Sequence, residues 1–449
     1  MVEHYRFGGG VAETTLHPLV LVATVIAIIL ILMLPRKYAV IPFLVIVLLT
    51  PLGQVVVLGG IHLMVSRIVT LFVWLRLVKA RFMHELELLP GGFTHLDKLF
   101  LLWAVGQAVV FTLQYLSKDA FINQCGFLLD SVGAYFVLRY FIQDDQSIET
   151  VIKTIGVVVV VVAAGMLVEQ SLHNNIFGTL GGVAAAPAIR DGRTRSQGVF
   201  QHAILAGVFG ATVLPLFLWL WRFGRAKLVS GLALIGSVVM VLTSGSSTPV
   251  LTLLGGLLGM CLWPMRNSMR LVRWGLVIAI LASAVVMNAP VWFILAHVDV
   301  VGSSSGYQRA MLIDQFVNHF SDWWLLGSNG NENWGWDMWD IQNQFVAQGE
   351  TGGLISFVLF IWIIVSLFRH LGVTRRLMVG DRQQEWLIWT LGAVLVAHVI
   401  AFLGANYFDQ TKIWWFAFPA MVCAVARAHQ PTSAAEIADS QVGWAWSYW

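Results

Sequence analysis

The sequence predicts an all-α integral membrane protein that crosses the membrane many times. Of 449 residues, 58% are hydrophobic and only 11% are charged, whereas soluble domains carry about 25% charged residues. Apolar runs of about 17–25 residues, the length that a membrane-spanning helix needs, recur along the chain. Arginine and lysine gather in short loops between these runs, as they do on the cytoplasmic side of membrane proteins.

About twelve or thirteen apolar runs qualify as spans and form one transmembrane domain, 1–427. They lie near residues 18–34, 38–57, 59–76, 97–117, 122–141, 151–168, 201–221, 228–244, 248–264, 272–291, 351–368, 386–404 and 411–427. The 38–76 region contains Pro51, Gly59 and Gly60. Because these residues interrupt helices, the region is either two short spans or one span with a re-entrant segment.

The distribution of basic residues predicts the orientation. Four loops carry the clusters, which are Arg76, Lys79 and Arg81; Arg222, Arg225 and Lys227; Arg266, Arg270 and Arg273; and Arg369, Arg375, Arg376 and Arg382. Even numbers of spans separate these loops, so all four can be cytoplasmic together. This orientation places 169–200, 292–350 and 405–411 outside and the tail, 428–449, in the cytoplasm. The side of the N-terminus depends on the 38–76 region.

A basic cluster in the first large outer loop is unusual for that side of a membrane. It comprises Arg190, Arg193 and Arg195. Guanidinium groups bind phosphate bidentately, so the cluster is interpreted as a phosphate or pyrophosphate clamp, with Gly198 allowing close backbone approach. The alternative is contact with lipid headgroups, which suits Arg190 best. His202, expected one to two turns inside the next span, is either an acid–base group or a packing residue.

The second large outer loop, 292–350, contains Arg309 as its only basic residue other than histidine, among several carboxylates. Arg309 either neutralises these acids or joins the phosphate site. Apolar residues in 307–320 are spaced as in an amphipathic helix lying across the membrane surface. His319 lies near the end of this segment.

Tryptophans are dense in the same loop: Trp323, Trp324, Trp334, Trp336 and Trp339. They are either an interfacial aromatic belt or a sugar platform, because aromatic faces stack on the C–H faces of pyranose rings. In the second interpretation Trp336 and Trp339 contact the sugar, and Asn343 binds its hydroxyls.

Carboxylates near the end of this loop are candidates for acid–base work. Asp340 is the candidate general base, since a carboxylate at a partly dry membrane edge can take up a proton near neutral pH. Glu350 is expected at the N-terminal end of the next helix, where a negative charge is favourable. In the earlier span 122–141, Asp130 is expected to pair with an outer arginine, and Arg139 to reach the lipid headgroups.

A short outer loop late in the chain, which includes Gln410, is placed to cap the same cavity. No Walker A motif, HExxH or nucleophile elbow is present. The three cysteines lack metal-ligand spacing. We therefore predict no cofactor, no metal and no nucleic-acid partner. The sequence has no internal repeat, which disfavours a transporter.

Three motifs in this order resemble those of the bacterial O-antigen ligase and polysaccharide polymerase superfamily. They are Arg195-Ser-Gln-Gly198 with His202 four residues later, Arg309 in a large outer loop with a Gly-rich turn at Leu326–Gly330, and Glu350-Thr-Gly352 entering a span. The resemblance covers about residues 95–425. It implies a membrane-embedded glycosyltransferase of the C type in the bacterial inner membrane. Such enzymes take glycan from an undecaprenyl-pyrophosphate donor at the periplasmic face without metal or nucleotide sugar.

The resemblance also implies roles for individual residues. Arg195 and Arg309 would hold the pyrophosphate. The histidine that removes the acceptor proton in ligases has no counterpart, because Asp340-Ile-Gln-Asn343 occupies its position. Either Asp340 replaces that base or His319 folds back to it. This departure favours a polymerase of exopolysaccharide or O-antigen repeat units. The alternatives are a ligase acting on lipid A or another acceptor, a transporter of lipid-linked glycan, and a non-catalytic assembly subunit. Polysaccharide assembly or export proteins are the expected protein partners.

Overall fold

Helices form most of the structure, a computed structural model that describes residues 13–59, 61–82, 88–89, 91–297, 305–336 and 338–427. The first-half helices are α1 Pro18–Met33, α2 Arg36–Leu49, α3 Val65–Phe82, α4 His95–Tyr115, α5 Lys118–Leu128, α6 Ala134–Phe141, α7 Asp145–Leu172 and α8 Ala203–Phe223. The others are α9 Lys227–Thr243, α10 Ser247–Cys261, α11 Met269–Val286, α12 Ile294–His297, α13 Ser305–Asn318, α14 Phe320–Trp323, α15 Gln344–Leu377, α16 Arg382–Phe402 and α17 Gln410–Arg427. The predicted tail, 428–449, lies outside the described residues.

Seven helical segments in the described part of the chain are long and apolar enough to cross a membrane. They are His95–Tyr115, Lys118–Phe141, Asp145–Leu172, Ala203–Phe223, Met269–Val286, Gln344–Leu377 and Arg382–Phe402. Three shorter apolar helices, α1, α9 and α10, accompany them. The described part of the chain is therefore mostly helical, with several helices long and apolar enough to span a membrane. The total of about twelve or thirteen spans stays a prediction.

The 38–76 region consists of two helices joined by a β-hairpin. Strand β1, Val55–Leu58, pairs antiparallel with β2, Ile61–Met64, and α3 follows directly. The predicted spans 38–57 and 59–76 both extended into this hairpin. The end of the first span and the start of the second were therefore wrong. A short apolar run carries no periodicity that separates a strand from a helix, so the sequence pattern could not show the hairpin.

Three of the four predicted basic loops meet at one end of the bundle, which we call the basic end. Glu385 at the start of α16 accepts from Arg375 Nη1 at 2.9 Å and from Arg266 Nε at 3.1 Å. Trp219 of α8 donates to the carbonyl of Gln383 at 3.3 Å. The loops that follow α8, α10 and α15 are therefore on the same side, as the charge pattern predicts.

The opposite end, which we call the loop end, holds the long polar connections. The Nε2 atom of Gln54, next to β1, donates to the carbonyl of Leu180 in the long connection after α7 at 2.7 Å. The backbone amide of Thr15 donates to the carbonyl of Val55 at 2.9 Å. Helix α1 therefore begins at the loop end. The sequence alone left open at which side of the bundle this helix begins.

A buried ion pair ties the basic ends of α4 and α6 together. Arg139 Nε lies 3.0 Å from Asp97 Oδ1, and both side chains are 0% exposed. Tyr135 donates a further hydrogen bond to the same carboxylate at 2.6 Å. The expectation that Arg139 reaches the lipid headgroups was wrong, because a carboxylate from a different helix meets it inside the bundle.

Two helical irregularities position the polar residues at the loop end. Between α5 and α6, Leu129–Gly133 form a π-helical turn, which contains one residue more than a regular turn. In α15, Gly353 has φ 62° and ψ −164° and interrupts the helix.

The segment after α14 docks onto the break in α15. The amide of Leu354 donates to the carbonyl of Trp324, and the amide of Ser328 donates to the carbonyl of Glu350, each at 2.8 Å. The predicted place of Glu350 at a helix N-terminus was wrong, because α15 begins earlier, at Gln344. Glu350 instead precedes the break.

Candidate functional site

The predicted arginine cluster lies on a small β-hairpin at the loop end. Strands β3, Ala188–Arg190, and β4, Arg193–Arg195, pair antiparallel, with Arg190 opposite Arg193. Arg190 and Arg193 are exposed, whereas Arg195 is half-buried. The hairpin therefore carries two guanidinium groups near its turn and a third at its base.

Arg195 is the member of the cluster that reaches the bundle. Its Nε donates to the carbonyl of Ser244 at 3.4 Å, and the amide of Ser196 donates to the carbonyl of Thr243 at 2.9 Å. Burial, together with the like charge of Arg190, lowers the pKa of Arg195 below its usual range. Within the described ranges no carboxylate forms an ion pair with Arg195. An anion would relieve this repulsion.

Residues 244–248, Ser-Gly-Ser-Ser-Thr, comprise the connection between α9 and α10 and the first two residues of α10. We call this polar segment the serine turn. Ser246 is the N-cap of α10. The backbone amides of the first turn of a helix attract negative charge. The sequence analysis did not single out this turn, because serine and glycine are common in any loop.

Arg309 approaches the other end of the serine turn. It lies on α13, the helix found where 307–320 was predicted to be amphipathic, and is only 6% exposed. A Cβ atom placed on Gly404 would lie 3.3 Å from Arg309 Nε and 2.5 Å from Thr248 Oγ1. The two arginines predicted to grip phosphate thus lie at opposite ends of one turn, with Arg195 beside its first residue.

Residues 403–409, between α16 and α17, join several predicted site residues. Asn343 Nδ2 donates to the carbonyl of Leu403 at 3.2 Å. The Oε1 atom of Gln344 accepts from the amide of Tyr407 at 2.8 Å. These contacts attach the start of α15 to the 403–409 loop, so Asn343 helps to fix the position of α15.

His202 and Asp409 lie at the far end of this loop. His202 is the N-cap of α8, not one to two turns inside the span, because the helix begins one residue later. Its exposed ring meets Phe408 edge-to-face, with centroids 5.5 Å apart. Burial raises the pKa of Asp409, and hydrogen bonds from the Thr411 amide and hydroxyl and the Gln201 amide partly offset that rise.

Asp340, the candidate base, stands on the rim of this region. It is half-buried, and the backbone and side chain of Gln342 donate to its carbonyl and its carboxylate. Asp340 precedes Asn343 by three residues, and three residues reach at most about 11 Å. Because Asn343 is hydrogen-bonded to the 403–409 loop, the backbone of Asp340 lies within about 11 Å of a residue that contacts that loop.

The candidate sugar-binding tryptophans are open to solvent. Trp336 is 90% exposed and Trp339 is 68% exposed. His319 is differently engaged, since its Nδ1 lies 3.0 Å from the carbonyl of Gln315 and its ring stacks on Trp334 with centroids 5.5 Å apart. These contacts hold His319 against Trp334 rather than folding it back to the position of a base.

Asp130 pairs with Arg67 of α3, whereas the sequence analysis expected one of the outer arginines as its partner and did not consider Arg67. The contact is bidentate, with Arg67 Nε 2.8 Å from Oδ1 and Nη2 2.6 Å from Oδ2. The sequence did not indicate this partner, because Arg67 is far from Asp130 along the chain and meets it only where α3 packs against the π-helical turn.

The predicted site residue Gln410 contacts the backbone of two other segments. Its Nε2 donates to the carbonyls of Thr50 at 2.8 Å and Val199 at 3.1 Å.

The backbone of Gly198 was expected to approach a phosphate, but a protein carboxylate occupies that place. Glu169 of α7 is fully buried, and its Oε2 accepts from the Gly198 amide at 2.8 Å. The Gly198 carbonyl accepts from Asn175 Nδ2 at 2.7 Å. The expectation for Gly198 was therefore wrong, and the turn leading into α8 is fixed by α7.

No group of three or more His, Cys, Asp or Glu side chains in the described residues could hold a metal ion. No model of a known protein family matches the chain, and no curated protein matches it. The chemistry of the site therefore rests on its own side chains and their geometry.

Proposed function

We propose that the chain is a glycosyltransferase of the bacterial inner membrane. It takes glycan from an undecaprenyl-pyrophosphate donor at the periplasmic face. The observation that carries this proposal is the placement of Arg195 and Arg309 at opposite ends of the serine turn. Two guanidinium groups beside a helix N-terminus suit a pyrophosphate. The motif order shared with the O-antigen ligase and polymerase superfamily supports the same function.

The proposed reaction is a single displacement. An acceptor hydroxyl attacks the anomeric carbon of the donor, and the bond from that carbon to the pyrophosphate oxygen breaks. The pyrophosphate leaves with the electron pair, and Arg195 and Arg309 stabilise its growing charge. Asp340 accepts the proton from the hydroxyl. Trp336 and Trp339 offer exposed rings for stacking on the glycan.

The proposed acceptor is a second lipid-linked repeat unit, which makes the protein a polymerase of exopolysaccharide or O-antigen. The direct test incubates the purified protein with an undecaprenyl-pyrophosphate oligosaccharide in EDTA without nucleotide. Longer lipid-linked glycans, detected by mass spectrometry, are the expected products. Glycan moved to lipid A would identify a ligase. An intact donor with every acceptor would contradict the proposal and favour a transporter or an assembly subunit.

Replacing Arg195 by alanine tests the role of the serine turn. Loss of one charge-stabilising group at a leaving group costs about 100-fold or more in rate, so we expect a loss of that size in R195A and R309A, with partial recovery in R195K. Arg225→Ala at the basic end is the control for removing an arginine away from the site, since Arg225 is an exposed loop arginine. Full transfer by R195A and R309A would contradict the assignment.

A further inference from the structure

A partly open cavity of about 290 Å³, with both polar and apolar side chains in its wall, lies between the helices beside the candidate site. Its walls come from the end of α2 and from α3, α4, α5, the π-helical turn, α15 and α17. Phe408 and Asp409 of the 403–409 loop also line it. The cavity therefore adjoins the loop that contacts Asn343, Thr248 and His202.

Two amide side chains in the cavity wall have unmet hydrogen-bonding capacity. Gln124 and Gln410 are 5% and 4% exposed. The Oε1 atom of each is buried and accepts no hydrogen bond from the described residues. A buried acceptor without a donor costs free energy. Both residues line the cavity, and we take a ligand in the cavity as the source of the missing donors.

The charged groups of the cavity wall balance. Arg67 and Asp130 pair with each other. Asp409 accepts hydrogen bonds from its neighbours, and Lys412 is close enough to Asp130 and Asp409 for electrostatic attraction. Among the described residues no hydrogen bond or ion pair involves Lys412 Nζ. With two acids and two bases in the wall, a phosphate or carboxylate ligand would add an uncompensated buried charge.

We infer that this cavity is a subsite for one uncharged sugar residue of the glycan. Sugar hydroxyls both donate and accept, so they can serve the amide oxygens of Gln124 and Gln410 and the ammonium group of Lys412 together. Phe127 and Phe408 supply apolar surface for the C–H face of the ring. The inference rests on the proposed function, because it takes a glycan as substrate.

The size of the cavity limits the ligand to a single ring. Pockets for small molecules have volumes of about 300–1,000 Å³, and this cavity, at about 290 Å³, is at the lower limit. The adjoining arginines and serine turn lie outside its wall. A glycan can therefore place one residue in the cavity while the pyrophosphate remains at the serine turn.

Direct binding to the purified full-length protein tests the inference without any turnover. Methyl glycosides of glucose, galactose, mannose and N-acetylglucosamine, together with methyl glucuronide, are titrated by saturation-transfer NMR. We expect at least one neutral glycoside to bind at least tenfold more tightly than the negatively charged glucuronide. Preferential binding of the glucuronide, or no binding of any glycoside, would overturn the inference.

Gln124→Met separates sugar recognition from folding. It removes an acceptor that no described residue satisfies, so we expect the melting temperature to stay the same or rise. The affinity for the bound glycoside should fall at least tenfold. Gln114→Met is the matched control, because the Oε1 of Gln114 is also buried without a donor but Gln114 does not line the cavity. Unchanged affinity in Gln124→Met, or equal loss in both variants, would overturn the inference.

The two proposals fail in different ways. If glycoside binding depends on Gln124 but no donor glycan is transferred, the subsite stands and the transferase proposal fails. If transfer depends on Arg195 while Gln124→Met changes neither glycoside affinity nor the KM for the donor, the transferase stands and the subsite fails.

Discussion

At the scale of single residues, Asp97 and Arg139 form the most deeply buried ion pair among the described residues. Removing one partner of a buried pair leaves the other charge without compensation. We expect Asp97→Asn to lower the free energy of unfolding by about 3–5 kcal/mol, measured as a lower melting temperature in detergent.

The control for Asp97→Asn is an exposed pair on α7. Glu149 and Lys153 lie 2.8 Å apart, and their side chains are 27% and 41% exposed. Exposed pairs of this spacing contribute about 0.3–0.5 kcal/mol, so Glu149→Gln should barely change the melting temperature. Equal destabilisation by both variants would contradict the importance that we give to burial.

Gly404 is a second informative residue, because any side chain added there would meet both Thr248 and Arg309. An alanine Cβ there would lie 2.5 Å from Thr248 Oγ1, and overpacking of this kind costs about 1–3 kcal/mol. We expect Gly404→Ala to displace Arg309 and reduce glycan transfer in the in vitro assay. Gly392→Ala on α16 is the control, since its Cβ would meet nothing within 4 Å. Wild-type transfer by Gly404→Ala would argue against a role for this contact.

At the scale of elements, the break in α15 anchors the 324–328 segment, which includes Trp324. Gly353 has a φ of 62°, and a Cβ there would lie 2.8 Å from the carbonyl oxygen of Leu325. Positive φ with this contact strains any side chain. We expect Gly353→Ala to loosen the 324–328 segment and speed its cleavage in limited proteolysis. Gly372→Ala on the same helix, with open space around its Cβ, should be cleaved like the wild type.

The sequence predicted most helices because long apolar runs leave few alternatives. It missed the β1–β2 hairpin, where short apolar strands resemble the continuation of a span. Arg195 and Arg309 were singled out from the sequence because basic residues on the outer side contradict the usual charge distribution; their role stays a prediction. Arg67 was missed as the partner of Asp130, because only the packing of α3 on the π-helical turn brings them together. Lys412 was not recognised as a cavity residue, because the cavity forms only where helices distant in sequence pack together.

At the scale of the whole molecule, the contacts of the two ends predict which residues share a side of the membrane. Thr15 is hydrogen-bonded beside β1 at the loop end, and Arg193 is exposed on β4 at the same end. In a variant without native cysteines, we expect Thr15→Cys and Arg193→Cys to react with an impermeant maleimide added to intact spheroplasts. Arg225→Cys at the basic end should react only after lysis. Labelling of Thr15 and Arg193 from opposite sides would contradict this arrangement.

The π-helical turn makes the wall of the cavity depend on the length of a single span. An α-helix rotates by about 100° per residue, so the extra residue in Leu129–Gly133 changes the direction in which one half of the span faces relative to the other. Deleting one residue from this turn would leave both halves helical. It would nevertheless change the direction in which Asp130 points relative to α6 and turn it away from Arg67. The position of Asp130 in the cavity wall therefore depends on the number of residues in this span as well as on their types.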